Sequence, residues 1–203
     1  MSDALQQQII ELRRQHILEA AAKVFSEKGF RGSTIKAIAR EADVADGTIY
    51  NYFKNKQALL IGIFDMMRQR ALHDVIATIN LETHDLRDVI KLFIAQPLMD
   101  MQQDNFALFR IVLTESMVND DLRQLYRGKI IVPTLASAEP FLQHWIDQGI
   151  ISVDNPKLLI RVLSALITGL IVERILDDSD LADHWHELPD FVTDLLLKGL
   201  TQS

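Results

Sequence analysis

The chain has 203 residues, of which 48% are hydrophobic and 24% are charged, and its formal net charge is −7. This composition is typical of a globular protein with a sizeable core, and the acidic balance argues against indiscriminate binding to nucleic acid. The absence of cysteine excludes disulfides, thiolate metal sites and cysteine nucleophiles. No stretch reaches the length of a membrane helix and the first residues lack a signal-peptide pattern, so we expect a cytoplasmic protein that makes no membrane contact.

The charge is distributed unevenly along the chain. Residues 1–56 carry nine Lys and Arg against seven Asp and Glu, a net charge of +2. Residues 57–203 carry twelve against twenty-one, a net charge of −9. Only the N-terminal quarter is therefore suited to a polyanionic partner.

The first half of the chain reads as helices joined by short turns. An apolar stripe at helical spacing predicts a helix over residues 8–28, and Gly29 supplies its C-terminal stop. Ser33 and Thr34 then offer an N-cap for a short helix that ends near Ala42.

A second short helix is predicted after a turn at residues 43–45. Ile49 and Phe53 are four residues apart, which gives this helix one inward face. A long helix, a short helix, a turn and a second short helix form the helix-turn-helix pattern, in which the last helix presents its N-terminal residues to the major groove of DNA.

The outer arc of the second short helix is predicted to carry its glycine and polar residues. They are Gly47, Thr48, Tyr50, Asn51 and Tyr52. Glycine allows close approach to a base, the hydroxyls can donate to phosphate oxygens, and asparagine can bind a base edge. Lys56, in the first turn of the next helix, adds a cation. Taken alone, the Asp-Gly pair also fits a simple turn and the aromatic residues also fit a core.

The remainder of the chain is also predicted to be helical. Strand-like alternation is absent, so the predicted fold class is all-α. The predicted helices cover residues 55–79, 85–101, 105–117, 120–148, 155–177 and 188–200.

The N-terminal pattern is specific enough to indicate a family. Residues 17–60 read ILEAAAKVFSEKGFRGSTIKAIAREADVADGTIYNYFKNKQALL, which resembles the DNA-binding domain of TetR-family regulators in their AcrR-like branch. The resemblance implies a three-helix DNA-binding domain over residues 1–56 and a helical ligand-binding and dimerisation domain over residues 57–203. It implies phosphate contacts for Thr34, Tyr50, Tyr52 and Lys56, and positions at or near the bases for Gly47, Thr48 and Asn51. Lys36 fits a DNA contact and a solvated helix face equally well.

Two residues depart from the family pattern. Ala45 stands where many members have a capping Ser or Thr, and Asp46 stands where Lys or another polar residue is frequent. An aspartate in the first turn suits the helix dipole but repels phosphates, unless it accepts a hydrogen bond from a cytosine amino group. Both roles for Asp46 stay open.

The last two predicted helices carry a candidate dimer interface. Residues 155–177 are apolar on more than one face, which exceeds what one stripe in a monomer would bury, although a fully internal helix is the alternative. The resemblance favours a homodimer formed through these helices, and a dimer matches a palindromic DNA operator. The candidate interface residues are Leu163, Ile167, Leu170, Ile171, Phe191 and Leu195.

The middle helices carry candidate walls of an effector pocket. Their aromatic and thioether side chains would suit an apolar or amphipathic small molecule, and Pro133 and Pro140 are expected to break or kink the helix around them. The same residues also suit a simple core. They are Phe93, Met99, Met101, Phe106, Phe109, Met117, Tyr126 and Trp145.

No catalytic residues, metal ligands or cofactor are predicted. Gly-rich phosphate loops and zinc-binding motifs are absent, and the histidines of residues 183–187 are expected in a solvated loop. The sequence therefore predicts a ligand-responsive dimeric transcriptional regulator, most simply a repressor. An all-α enzyme or small-molecule carrier is the alternative.

Overall fold

The computed structural model describes residues 3–79, 85–102 and 104–200. Over these ranges the regular structure is helical, without any strand, which confirms the predicted all-α fold. The chain divides into two compact units. Unit 1 consists of residues 1–68 and 107–130, and unit 2 consists of residues 69–106 and 131–203. Among the described residues, no helix is both long enough and apolar enough to cross a membrane. The division into a DNA-binding domain of residues 1–56 and a ligand-binding and dimerisation domain of residues 57–203 stays a prediction.

Unit 1 begins with helices α1 (Asp3–Gly32), α2 (Ile35–Glu41) and α3 (Asp46–Tyr52). Gly29 leaves the helical region with φ 68° and ψ 168°, which confirms the break predicted there. The hydroxyl oxygen of Thr34 accepts a hydrogen bond of 3.1 Å from the Ala37 amide and so caps α2. The turn between α2 and α3 contains Asp43 at φ 49°.

Helix α4 (Lys56–Thr78) follows α3 after a short connection. The Asn55 side chain caps α4 by accepting a 2.8 Å hydrogen bond from the Ala58 amide. Ile49 of α3 and Leu59 and Leu60 of α4 are fully buried. The inward face predicted for α3 is therefore confirmed.

Unit 1 also contains α6 (Ala107–Val118) and α7 (Asp120–Tyr126), followed by most of a π-helical segment (Arg127–Ile131). Helix α6 packs against α1. The single helix predicted over residues 120–148 is interrupted at the π-helical segment. Pro133, in the next helix, has no N–H to bond the carbonyl four residues earlier, which accounts for the break predicted near it. Pro140, by contrast, lies inside a helix that continues through it.

Unit 2 contains the rest of α4 and five further helices. They are α5 (Leu86–Gln102), α8 (Val132–Asp147), α9 (Pro156–Ile175), α10 (Ser179–Asp183) and α11 (Leu188–Leu200). A buried cluster of Leu86, Val89, Trp145 and Ile151 forms part of its core. Helix α5 packs against α9 and α11, and Arg87 and Lys91 of α5 pair with Asp190 of α11 at 3.1 and 2.8 Å.

The connector that contains residues 183–187 is only partly solvated. His184 and His186 are exposed, as predicted, but Trp185 between them is buried and its ring lies 5.4 Å from that of Phe106. Within the described residues, no group of three His, Asp or Glu side chains is placed to hold a metal ion.

Candidate DNA-recognition surface

Residues of α1 hold α2 and α3 in place from behind. A His16 ring nitrogen donates to the carbonyl of Ala42, at the end of α2, over 2.9 Å. The guanidinium of Arg14 lies 4.7 Å from the centre of the Phe53 ring, at the end of α3. In the turn itself, the amide of Val44 donates to the carbonyl of Ala39 over 3.0 Å. The contacts of His16 and Arg14 thus tie the end of α2 and the end of α3 to one supporting helix.

The outer face of α3 is the surface that the sequence predicted. Gly47, Tyr50 and Asn51 are exposed, whereas Thr48 and Tyr52 are partly buried. The Tyr50 side chain is 58% exposed, which is unusual for a large aromatic residue in an ordered helix. The helix therefore presents polar and aromatic groups outward while Ile49 anchors it inward.

Gly62 and Gly47, both in unit 1, differ in how closely other atoms surround them. A Cβ on Gly62 of α4 would lie 2.8 Å from a methyl carbon of Leu18 and 3.1 Å from the Phe53 ring, so a larger residue there would displace these side chains. A Cβ on Gly47 would meet no atom within 4 Å, and its backbone is not in the left-handed region. The fold itself therefore does not explain why residue 47 is a glycine.

The two contact residues predicted at the start of α2, Thr34 and Lys36, are also exposed. Thr34 uses its hydroxyl oxygen as the α2 cap, so its hydroxyl hydrogen stays available to a phosphate oxygen. At the start of α3, Ala45 occupies the N-cap without a side-chain hydrogen bond and Asp46 is exposed in the first turn.

Lys56 has a structural role that sequence reasoning missed. Its ammonium donates to the carbonyls of Phe30 and Ser33 over 2.6 and 2.9 Å and lies 4.7 Å from the centre of the Phe30 ring. Partial burial lowers the pKa of Lys56, and the carboxylate of Glu115 partly opposes this shift. Two of the three ammonium hydrogens are thus engaged, because α4 starts against the turn between α1 and α2. The phosphate contact of Lys56 stays a prediction for the third hydrogen.

The candidate pocket residues divide between the two units. In unit 1, Phe109 is buried, and Tyr126 packs edge-to-face on Phe64 with ring centres 5.5 Å apart. Burial raises the pKa of Tyr126 to about 12. Met117 is exposed on α6. These residues show that unit 1 contains part of the aromatic set that was predicted for a ligand domain.

The other five candidates lie in unit 2. Trp145 belongs to the buried cluster, Phe93 packs against Phe141 at 5.1 Å, and Phe106 is buried beside Trp185. Met101 is partly buried and Met99 is exposed. Whether any of the eight residues lines a ligand pocket stays a prediction.

The candidate dimer residues differ in exposure. Ile171 is buried within unit 2, while Leu163, Ile167 and Leu170 are partly buried. On α11, Phe191 and Leu195 are 67% and 58% exposed. Other large apolar side chains of α9 are also exposed; they are Leu158, Val162 and Leu166. Because α9 is apolar on more than one face, its sequence could not indicate which face turns inward.

Comparison with known proteins agrees with this geometry. Residues 17–63 match the model for bacterial regulatory proteins of the tetR family. The fatty acid metabolism regulator protein of Bacillus subtilis (strain 168) is 52% identical over 48 residues, which are 24% of this chain and 25% of that protein. The regulator UidR of Escherichia coli (strain K12) is 27% identical over 176 residues, covering 83% of this chain and 84% of UidR. Residues 17–63 thus carry the TetR-family pattern, and UidR, which aligns with most of the chain, is also an HTH-type transcriptional regulator.

Structural comparison extends the similarity over most of the chain. The crystal structure of FadR from Bacillus subtilis, in complex with stearoyl-CoA, superposes with a TM-score of 0.74 at 25% identity, covering 91% of this chain and 98% of FadR. The comparisons therefore support transcription regulation and DNA binding through the helix-turn-helix segment of residues 17–63. The relatives of this chain are regulators and not enzymes.

The two hydrogen bonds of Lys56 predict a loss of stability on substitution. Lys56→Gln removes a charged donor from two backbone carbonyls, so we expect the free energy of unfolding to fall by about 1–3 kcal/mol. Lys54→Gln is the matched control, since Lys54 is exposed and we expect a change below about 0.5 kcal/mol. Urea denaturation followed by circular dichroism measures both. Equal stability of the two variants would show that the Lys56 ammonium is not engaged in this way.

Proposed function

We propose that this protein is a homodimeric TetR-family repressor that leaves a palindromic operator when a small apolar or amphipathic effector binds. The outer face of α3 is the observation that supports DNA binding in this proposal. Gly47 is a glycine without an internal packing reason, and it lies beside exposed Tyr50 and Asn51. A partner that approaches the backbone of α3 closely explains this combination, and the major groove of DNA is such a partner.

Each side chain of this surface has a proposed chemical role. Tyr50, Tyr52 and Thr34 donate hydroxyl hydrogens to phosphate oxygens, which orient the protein on the duplex. Asn51 bonds a base edge, and Gly47 lets the helix backbone approach the bases. The positive balance of residues 1–56 favours the encounter.

Substitution of Gly47 should separate DNA affinity from folding. Gly47→Ala adds a methyl group in open space on a helix, so we expect unchanged or slightly higher stability but operator affinity reduced by about tenfold, equivalent to about 1.4 kcal/mol. Fluorescence anisotropy with the promoter DNA of the protein's own gene measures the affinity.

Gly128→Ala is the matched control for this experiment. A Cβ on Gly128 also meets nothing within 4 Å, but Gly128 lies in the π-helical segment and not in α3. We expect it to bind DNA like the native protein. If Gly47→Ala also binds like the native protein, close approach at α3 is refuted.

The proposed dimer interface uses exposed apolar residues of α9 and α11. Phe191 and Leu195 lie four residues apart on α11, and Leu158 and Val162 have the same spacing on α9. Large apolar side chains exposed in rows mark surfaces that another chain covers. A two-fold dimer through these helices would present two α3 helices to half-sites about 34 Å apart.

A charge on α11 should therefore dissociate the dimer. We expect Phe191→Asp to be monomeric in sedimentation velocity and to lose most of its operator affinity, because burial of an unpaired carboxylate is costly. Val118→Asp is the control, since Val118 is similarly exposed but lies on α6. A Phe191→Asp protein that remains dimeric would place the interface elsewhere.

The proposed effector is an amphipathic molecule with a long apolar part. The support is the set of aromatic residues in the middle helices and the structural similarity to FadR, which was solved with stearoyl-CoA. An effector releases DNA only to the extent that it binds the DNA-free conformation more tightly than the DNA-bound one.

Stearoyl-CoA is a direct probe of this proposal. We expect it to lower operator affinity at least about tenfold, a coupling of about 1.4 kcal/mol, and to raise reporter transcription in vitro, whereas CoA alone changes neither. Tight binding of stearoyl-CoA with unchanged DNA affinity would favour a carrier. A fall in transcription upon addition would favour an activator.

A further inference from the structure

A shallow, largely open cleft lies between the end of α1 and α6, entirely within unit 1. Its volume is about 280 Å³, and its charged lining residues are Lys28 and Arg31 of α1 and Arg110 and Glu115 of α6. We call this feature the α1–α6 cleft. It is smaller than the pockets of about 300–1,000 Å³ that hold drug-sized ligands, so its volume suits a small metabolite or an ion.

The α1–α6 cleft concentrates positive charge in an acidic chain. Three cations face one carboxylate, which leaves a net charge of +2 on the lining. Lys28 and Arg110 are exposed and have no ion-pair partner among the described residues. Arg31 donates through Nε to Glu115 over 3.1 Å, and its side chain is 81% exposed. Its remaining guanidinium hydrogens are thus open to another acceptor.

The helix dipoles do not account for all of these cations. Lys28 and Arg31 lie near the C-terminal end of α1, where positive charge is favourable. Arg110, in contrast, lies in the first turn of α6, where the helix dipole disfavours a cation, and that turn has no acidic residue. A bound anion would offset the charge of Arg110.

We propose that the α1–α6 cleft binds a small anion that carries a phosphate group or two neighbouring carboxylates. Arginine binds such groups through paired N–H donors, and Lys28 adds a point charge. Glu115 repels the anion and so directs it toward Arg110 and Lys28. No residue of α3 is among those that line the cleft.

Inorganic pyrophosphate is the probe, titrated by calorimetry into the full chain at constant ionic strength. We expect one saturable site per chain and at least a tenfold loss of affinity in Arg110→Gln, with partial recovery in Arg110→Lys. Arg127→Gln is the matched control, because Arg127 is an exposed arginine of unit 1 outside the cleft, and we expect its affinity within twofold of native. Glu115→Gln should bind pyrophosphate more tightly, since it removes the repelling charge.

Several results would overturn the proposal. Binding that does not saturate would mean that surface charge attracts pyrophosphate without a defined site. An equal loss of affinity in Arg110→Gln and Arg127→Gln would mean the same. Loss of DNA affinity by the same factor in Arg110→Gln would mean that the cleft contacts the DNA backbone. If circular dichroism shows that Arg110→Gln does not fold, Lys28→Gln replaces it. Unchanged pyrophosphate affinity in Lys28→Gln would also overturn the proposal.

Discussion

The ring of Phe53 fixes the direction in which α3 faces. Phe53 follows α3 directly and is 3% exposed, with its ring edge 3.1 Å from the position of a Cβ on Gly62 of α4. Arg14 of α1 covers the same ring. Together with buried Ile49, this anchor leaves only one orientation for a helix of seven residues. Because a helix this short has little stability of its own, its outward residues are set by what holds it from behind.

A second set of contacts ties the turn between α1 and α2 to its neighbours. Ser33 is buried and donates to the carbonyl of Phe30 over 2.7 Å, and the Lys56 ammonium bonds both residues through their carbonyls. Phe30 and Ser33 are buried, so their carbonyls need hydrogen-bond partners, and the Lys56 ammonium serves both of them. Since Phe30 and Arg31 also line the α1–α6 cleft, the same turn connects the start of α4 with α6. Within unit 1, α6 is thus linked to the end of α1 through Arg31 and Glu115, and the start of α4 is linked to it through Lys56 and Phe30.

Much of this architecture could be predicted from local sequence rules. The stop at Gly29, the cap at Thr34 and the turn after Ala42 depend on the backbone preferences of single residues. The helix-turn-helix was recognisable because Ile49 and Phe53 leave only one apolar face on α3, so the polar residues had to lie outside. Helix α9 was harder to interpret for the opposite reason. It is apolar on several faces, and Ile171 is buried in unit 2 while Leu158 and Val162 are exposed.

The sequence by itself determined the helices, their order and the polar composition of the α3 surface, because helical periodicity and capping act over a few residues. Only the tertiary structure decided that Lys56 bonds two carbonyls, that Gly62 is closely packed and Gly47 is not, and that Lys28 and Arg110 line one cleft. These facts depend on residues tens of positions apart in the chain. Their distances follow from how helices pack, and local spacing contains no information about them.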